Sequence, residues 1–121
     1  MTHRILSATL VVATLVAAAS LTGTAAGIVE FRMLARYLFA PATVRVTVAV
    51  EPHEANRTLR VEIDGDDMFR SSDVTLEGAA EKRFHEIQFR SVPAGHYRVQ
   101  AAVLSAHNVR GTATGELDVM P

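Results

Sequence analysis

The strongest constraint on the fold is an alternation of apolar and polar residues that begins at Thr43. In the stretch TVRVTVAVE, valines occupy every second position from Val44 to Val50, and polar or small residues stand between them. Successive side chains of a β-strand point to opposite faces, so this period of two predicts a strand with one buried face. The stretch RTLRVEID, residues 57–64, repeats the pattern and predicts a second strand.

Shorter segments with the same period follow along the chain, each bounded by turn residues. Residues 68–78, 83–90, 96–104 and 112–120 are the candidate strands, and His85 falls in phase with the apolar positions of its segment. No helical pattern occurs among them. Six or seven short strands in this arrangement predict an all-β fold, a small antiparallel β-sandwich over residues 41–121.

The segment FRSVPAGHYRV, Phe89 to Val99, carries the most specific local pattern. It resembles the corner found in immunoglobulin-like and fibronectin type III-like modules, and in prealbumin-like modules of the carboxypeptidase regulatory kind. Val92 stands where that pattern usually has leucine. The resemblance implies a structural role for Pro93, Gly95 and Tyr97, in which the tyrosine hydroxyl bonds to backbone a few residues upstream. The strands that follow this corner fit both the immunoglobulin-like and the prealbumin-like kind of sandwich.

The N-terminal residues predict export. After Arg4 no charged residue occurs until Glu30, and the apolar run ends in small residues that suit a signal peptidase before Ser20 or Gly27. The uncharged run over residues 5–29 is also long enough for a membrane-spanning helix, which needs about 20 apolar residues. Residues 1–29 are therefore either a cleaved signal peptide or a signal-anchor helix in the inner (cytoplasmic) membrane. In both cases the domain lies on the periplasmic or extracellular side.

Residues 30–40 predict an amphipathic juxtamembrane helix that ends at Pro41. Ile28, Phe31, Leu34 and Leu38 recur at helical spacing, and Arg32 and Arg36 lie one turn apart on another face. Such a segment can lie on a membrane surface or dock on a partner. The alternative is that it packs on the domain as an ordinary amphipathic helix. The candidate partner-binding residues here are Phe31, Arg32, Leu34 and Arg36.

Composition excludes several classes of function. The chain has no cysteine, so no disulfide supports the fold. Its formal net charge is −1 with acids and bases interleaved, which gives no basic block for nucleic acid. The sequence contains no nucleophile motif and no glycine-rich phosphate loop. Its carboxylates are scattered along outward faces and indicate no general acid–base pair. The expectation is therefore a protein that is not an enzyme and has no cofactor.

Histidines and aspartates give the remaining candidate sites. His53, His96 and His107 are candidate metal ligands, although none is paired at a local ligand spacing. The sequence DGDD, residues 64–67, looks like part of a calcium loop. Methionine and threonine stand where that loop needs oxygen ligands, so a turn is favoured.

These observations favour an exported, non-catalytic binding or assembly module of the cell envelope, whose partner is an unknown protein or envelope component. Function would lie in the loops 51–56, 64–72 and 105–111, or at an edge strand near Val74 and Leu76 that accepts a partner strand. One alternative is a periplasmic, copper-type metal carrier or small metal-dependent protein that uses surface histidines. Another is an accessory subunit of a membrane complex, docked through residues 31–39.

Overall fold

The computed structural model describes residues 27–121, which form eight β-strands and one short 3₁₀ turn, Gly78–Ala80. The predicted export helix lies almost entirely outside these residues. The strands are β1 (Val29–Met33), β2 (Tyr37–Phe39), β3 (Ala42–Val50), β4 (Thr58–Gly65), β5 (Phe69–Thr75), β6 (Phe84–Val92), β7 (Gly95–Leu104) and β8 (Val109–Met120).

The strands form two sheets. The three-stranded sheet has the order β1-β3-β6, and the five-stranded sheet has the order β2-β8-β7-β4-β5. All pairings are antiparallel except that of β2, which runs parallel to β8. The predicted all-β class is confirmed, and the eight strands exceed the predicted six or seven.

The alternating residues of both sheets meet in one apolar core. The four valines of β3 are at most 2% exposed, and Leu59, Val61 and Ile63 of β4 are fully buried opposite them. Burying each such side chain stabilises the fold by about 1.5–3 kcal/mol relative to leaving it exposed. Because a shift of one residue would turn every buried valine of β3 to solvent, this core also fixes the register of the strands.

The predicted amphipathic helix over residues 30–40 is wrong. Val29–Met33 and Tyr37–Phe39 are strands, the first paired with β3 and the second with β8. Within β1, Val29, Phe31 and Met33 face inward while Glu30 and Arg32 are exposed, which is a period of two. Aromatic and β-branched residues suit strands, and two unpaired sheet edges were available to receive them. The segment is part of the two-sheet fold.

Antiparallel pairing places the connections at two opposite ends of the fold. The loop end carries the connections 51–57, 76–83 and 105–108, and the corner end carries 34–36, 66–68 and 93–94. Strand β1 starts at the loop end, where Val29 pairs with Val50, and runs to the middle of β3, where Met33 pairs with Val46. Among residues 27–121 there is no helix of the length and apolarity that crossing a membrane requires.

Two predicted connections are shorter than expected. Only Asp66–Met68 form the turn within the predicted loop 64–72, because Gly65 still pairs with Tyr97 and Phe69 already begins β5. Strand β8 starts at Val109, so the loop predicted over 105–111 ends at Asn108. The part of each connection that is free to bind a ligand is correspondingly small.

Candidate binding groove

A groove lies where the open sides of the two sheets meet. We call it the seam groove; its volume is about 580 Å³. One wall is β1 with the segment that follows it, and the other wall is the middle of β8. The lining residues are Val29, Glu30, Phe31, Arg32, Met33, Arg36, Thr112, Ala113, Thr114 and Gly115.

The floor of the seam groove is apolar because small residues of β8 leave room for large residues of β1. The ring of Phe31 packs directly over Gly115, where a Cβ atom would lie only 3.0 Å from the Phe31 Cζ atom. Met33 and Ala113 complete the floor and pack against the core. Small residues in a strand allow close approach of another element, and here they form the surface on which β1 rests.

The backbone on both sides of the seam groove is unpaired within the described part of the chain. Strand β1 is the outer strand of its sheet, and β2 covers β8 only from Asp118 to Met120. The outer edge of β8 is therefore open from Val109 to Leu117, about 27 Å at roughly 3.3 Å per residue. An open strand edge presents N–H and C=O groups that can pair with another chain.

The edge predicted to accept a partner is less available. Strand β5 is the outer strand of its sheet, as expected, but Leu76 follows it as a buried core residue and Val74 packs against the core. Arg70 of β5 reaches across to β6, where it donates hydrogen bonds to the carbonyl oxygens of Arg90 and Ser91. A charged side chain that spans the gap between the sheets hinders the approach of a further strand.

The three candidate metal-ligating histidines are not brought together. His53 and His107 lie at the loop end, whereas His96 is at the start of β7 at the corner end. The ten residues of β7 separate these ends by about 30 Å at ~3.3 Å per residue. Within residues 27–121, no group of three or more His, Cys, Asp or Glu side chains is arranged to hold a metal ion.

Each of the four histidines in the described region has a hydrogen-bonding environment of its own. His53 Nδ1 accepts a hydrogen bond from the Ala55 amide, 3.0 Å away. His85 is buried, as its phase predicts, with Nε2 3.1 Å from the Lys82 carbonyl oxygen. The backbone amide of His107 bonds to Ser105 within the β7–β8 turn.

His96 belongs to a second, smaller groove of about 320 Å³ on the outer face of the five-stranded sheet. Its Nδ1 atom lies 2.6 Å from Asp118 Oδ1, and its Nε2 atom lies 3.3 Å from Glu116 Oε1. These hydrogen bonds, first that with Asp118, raise the pKa of His96. The two carboxylates flank opposite sides of the imidazole, so they hold the ring but do not converge on a common point.

The predicted structural residues of the corner are in place. The Tyr97 hydroxyl donates a hydrogen bond to the Pro93 carbonyl oxygen at 2.6 Å, and Tyr97 is 3% exposed. Of the predicted partner-binding residues, Phe31, Arg32 and Arg36 line the seam groove, while Leu34 lies beyond it and is 90% exposed. Met33, Ala113 and Gly115 were not predicted, because their role depends on which strands meet across the seam.

Comparison with known proteins identifies the fold. No protein-family model matches the chain, and no curated protein matches it significantly. Among solved structures, a superoxide reductase (neelaredoxin) from Ignicoccus hospitalis matches with a TM-score of 0.55 at 15% identity, covering 75% of this chain and 79% of that one. A protein described as a candidate superoxide reductase from Thermotoga maritima matches with a TM-score of 0.54 at 10% identity, covering 77% and 86%.

A third structure is the CARDB domain of a Pyrococcus furiosus protein in complex with di-metal ions, with a TM-score of 0.48 at 17% identity over 76% of this chain and 90% of that one. The first two likenesses concern the fold alone, which is all-β with two sheets and similar to that of these proteins. They also correct one expectation. The prediction that the chain is not an enzyme is contradicted, because the proteins that share its fold include superoxide reductases.

Proposed function

We propose that the protein is an exported binding module of the cell envelope that holds an extended segment of a partner polypeptide in the seam groove. The observation that carries this proposal is the open backbone edge of β8 beside an apolar floor made by Phe31, Met33 and Ala113. An added strand would bond to the β8 edge through its backbone. Its alternate side chains would lie on the floor, so backbone contacts give affinity and floor contacts give specificity.

The proposed location rests on the N-terminal sequence. The uncharged run over residues 5–29 supports export, and its last residue, Val29, is already the first residue of β1. Because β1 starts at the loop end, a retained anchor would hold the loop end towards the membrane. Intact-mass measurement of the protein in membrane and soluble fractions of its host distinguishes an anchored chain from one released at Ser20 or Gly27.

The test of the seam groove is a pair of alanine-to-leucine substitutions, one in β8 and one in the neighbouring strand β7. Ala113→Leu adds a side chain to the floor, where it occupies the space of a bound segment. Ala102→Leu is the matched control, because Ala102 lies on the outer face of the neighbouring strand β7 and does not line the seam groove. The probe is a set of octapeptide amides with Val or Leu at every second position and Ser or Thr between them. Binding to the full-length chain in mild detergent is measured by fluorescence anisotropy.

We expect the unmodified chain and Ala102→Leu to bind the same peptides, and Ala113→Leu to bind at least about tenfold more weakly, a loss of ~1.4 kcal/mol. Thermal melting of each variant establishes that it is folded. Photo-cross-linking from the peptides to β1 and β8 in the unmodified chain provides a readout independent of substitution. Cross-links elsewhere, or equal binding by the two variants, would rule out the seam groove.

The fold likeness supports a second candidate, a metal-dependent oxidoreductase that acts on superoxide. It rests on structural similarity over three-quarters of the chain. The described residues offer no cluster of three metal ligands. The two carboxylates beside His96, those of Asp118 and Glu116, are hydrogen-bonded to its ring. Metal analysis of untagged protein from its host, with an assay of superoxide removal, tests this candidate. A stoichiometric metal with activity would favour it over the binding module.

A further inference from the structure

The two ends of the seam groove differ. Towards the loop end, the groove is lined by β1 from Val29 and by β8 from Thr112. At the corner end, residues Leu34–Arg36 cross from one sheet to the other, and the Asp118 amide donates a hydrogen bond to the Arg36 carbonyl oxygen at 2.8 Å. Strand β2 then covers the β8 edge. A segment that enters from the loop end therefore meets a closed end at Arg36.

Strand β2 also indicates a direction for a bound segment. It pairs with β8 in parallel, with Tyr37 opposite Asp118 and Phe39 opposite Met120. Towards the loop end, the open part of the β8 edge leaves the position next to β8 unoccupied, in line with β2. A bound segment that is parallel to β8 would lie in line with β2, and its C-terminal residue would be the one next to Arg36.

The charges that line the seam groove suit an anion at this closed end. Arg32 and Arg36 both line it, and Glu30 is the single acidic side chain among the described residues that do so. The ion pairs within residues 27–121 involve Arg60, Arg83 and His96, and neither groove arginine takes part in them. A guanidinium group recognises a carboxylate through two parallel hydrogen bonds.

We propose that the occupant of the seam groove is the free C-terminal end of a partner polypeptide, whose terminal carboxylate is bound by Arg36 with support from Arg32. This inference rests on the proposed function of the groove. The last apolar side chain of the bound segment lies on Phe31 and Met33, and the backbone of that segment runs parallel to β8. A chain that continued past Arg36 would have to leave the groove over residues 34–36, whereas a terminus stops there.

The experiment compares each octapeptide as the free acid and as the amide, which differ only in the terminal charge. Binding is measured with the full-length chain, with Arg36→Gln and with Arg45→Gln. The last is a charge-matched control, since Arg45 is exposed on β3 outside the seam groove. We expect the unmodified chain and Arg45→Gln to bind the acid at least about tenfold more tightly than the amide. Arg36→Gln should bind both forms equally.

The possible outcomes distinguish failure of this inference from failure of the proposed function, peptide binding in the seam groove. If acid and amide bind equally to the unmodified chain and Ala113→Leu weakens both, the groove binds peptides but the inference about the C-terminus is overturned. If Arg36→Gln keeps the preference for the acid, Arg36 is not the carboxylate-binding residue and the inference is also overturned. If neither form binds, or Ala113→Leu has no effect on either, the proposed function fails as well.

Discussion

Tyr97 makes two contacts that hold the corner end together. Its hydroxyl bonds to the Pro93 carbonyl oxygen, its ring covers Gly65 on the neighbouring strand, and its burial raises the pKa of the phenol. The hydroxyl contact could be predicted from the local spacing of proline, glycine and tyrosine, because all of its parts lie within five residues. The contact with Gly65 could not, since it depends on the register between β4 and β7.

Tyr97→Phe removes the hydroxyl and leaves the Pro93 carbonyl oxygen without this partner. We expect the free energy of unfolding to fall by about 1 kcal/mol, the net value of a typical hydrogen bond. Chemical denaturation of the two proteins measures the difference. Tyr37→Phe is the control, because Tyr37 is 68% exposed and its loss of a hydroxyl should leave stability unchanged. Equal stability of Tyr97→Phe and the unmodified chain would contradict the structural role.

At the level of elements, a strand could be predicted where its apolar and polar residues alternate clearly. Strands β3, β4, β6 and β7 could be predicted because their alternating residues record which face is buried. Strands β1 and β2 are short, and their apolar residues also fit a helical spacing. Their conformation is decided by the free edges of β3 and β8, which belong to distant parts of the sequence. Tertiary pairing overrides local preference in such cases.

The β4–β7 pairing yields a second prediction. A Cβ atom at Gly65 would lie 2.5 Å from the Cδ1 and Cε1 atoms of Tyr97, whose ring is also held by its hydroxyl. Gly65→Ala should therefore destabilise the fold by about 1–3 kcal/mol, as overpacked positions do. A double-mutant cycle with Tyr97→Ala measures the coupling. If Gly65→Ala costs as much without the tyrosine ring as with it, the steric account is incorrect.

At the scale of the whole molecule, the seam groove belongs to neither sheet alone. Its floor combines Phe31 and Met33 from the first strand with Ala113 and Gly115 from the last. The sequence marks Phe31 and Arg36 as exposed candidates but does not place them against β8. Which strands meet at an open side is set by strand order, and strand order follows from packing across the whole core.

The pH dependence of stability is also a property of the whole molecule. The pKa of His96 is raised above its ordinary value of 6.5 by Asp118 and Glu116. Its contribution to stability is therefore complete below about pH 6.5 and is lost as pH rises through the raised pKa. Asp73 acts in the opposite sense. Its hydrogen bond with Arg60 lowers its pKa, so its contribution is lost as pH falls through that lowered pKa.

His96→Gln removes the first of these effects. We expect the melting temperature of the unmodified chain to decline from pH 6.5 upwards by more than that of His96→Gln. Asp118→Asn should lower the pKa of His96, which NMR titration of the ring measures directly, because Asp118 is the largest cause of the shift. A His96 pKa at or below 6.5 in the unmodified chain would refute the assignment.

The pairing of β2 with β8 has a consequence for the order of events during biogenesis. Strand β2 is among the first described strands to be synthesised and β8 is the last, so their contact spans most of the fold. Contacts between residues far apart in sequence form late and slow the folding reaction. The closed end of the seam groove can therefore form only after β8 has been synthesised. If the chain is threaded unfolded across a membrane, competence to capture a partner arises only when translocation of the domain is finished.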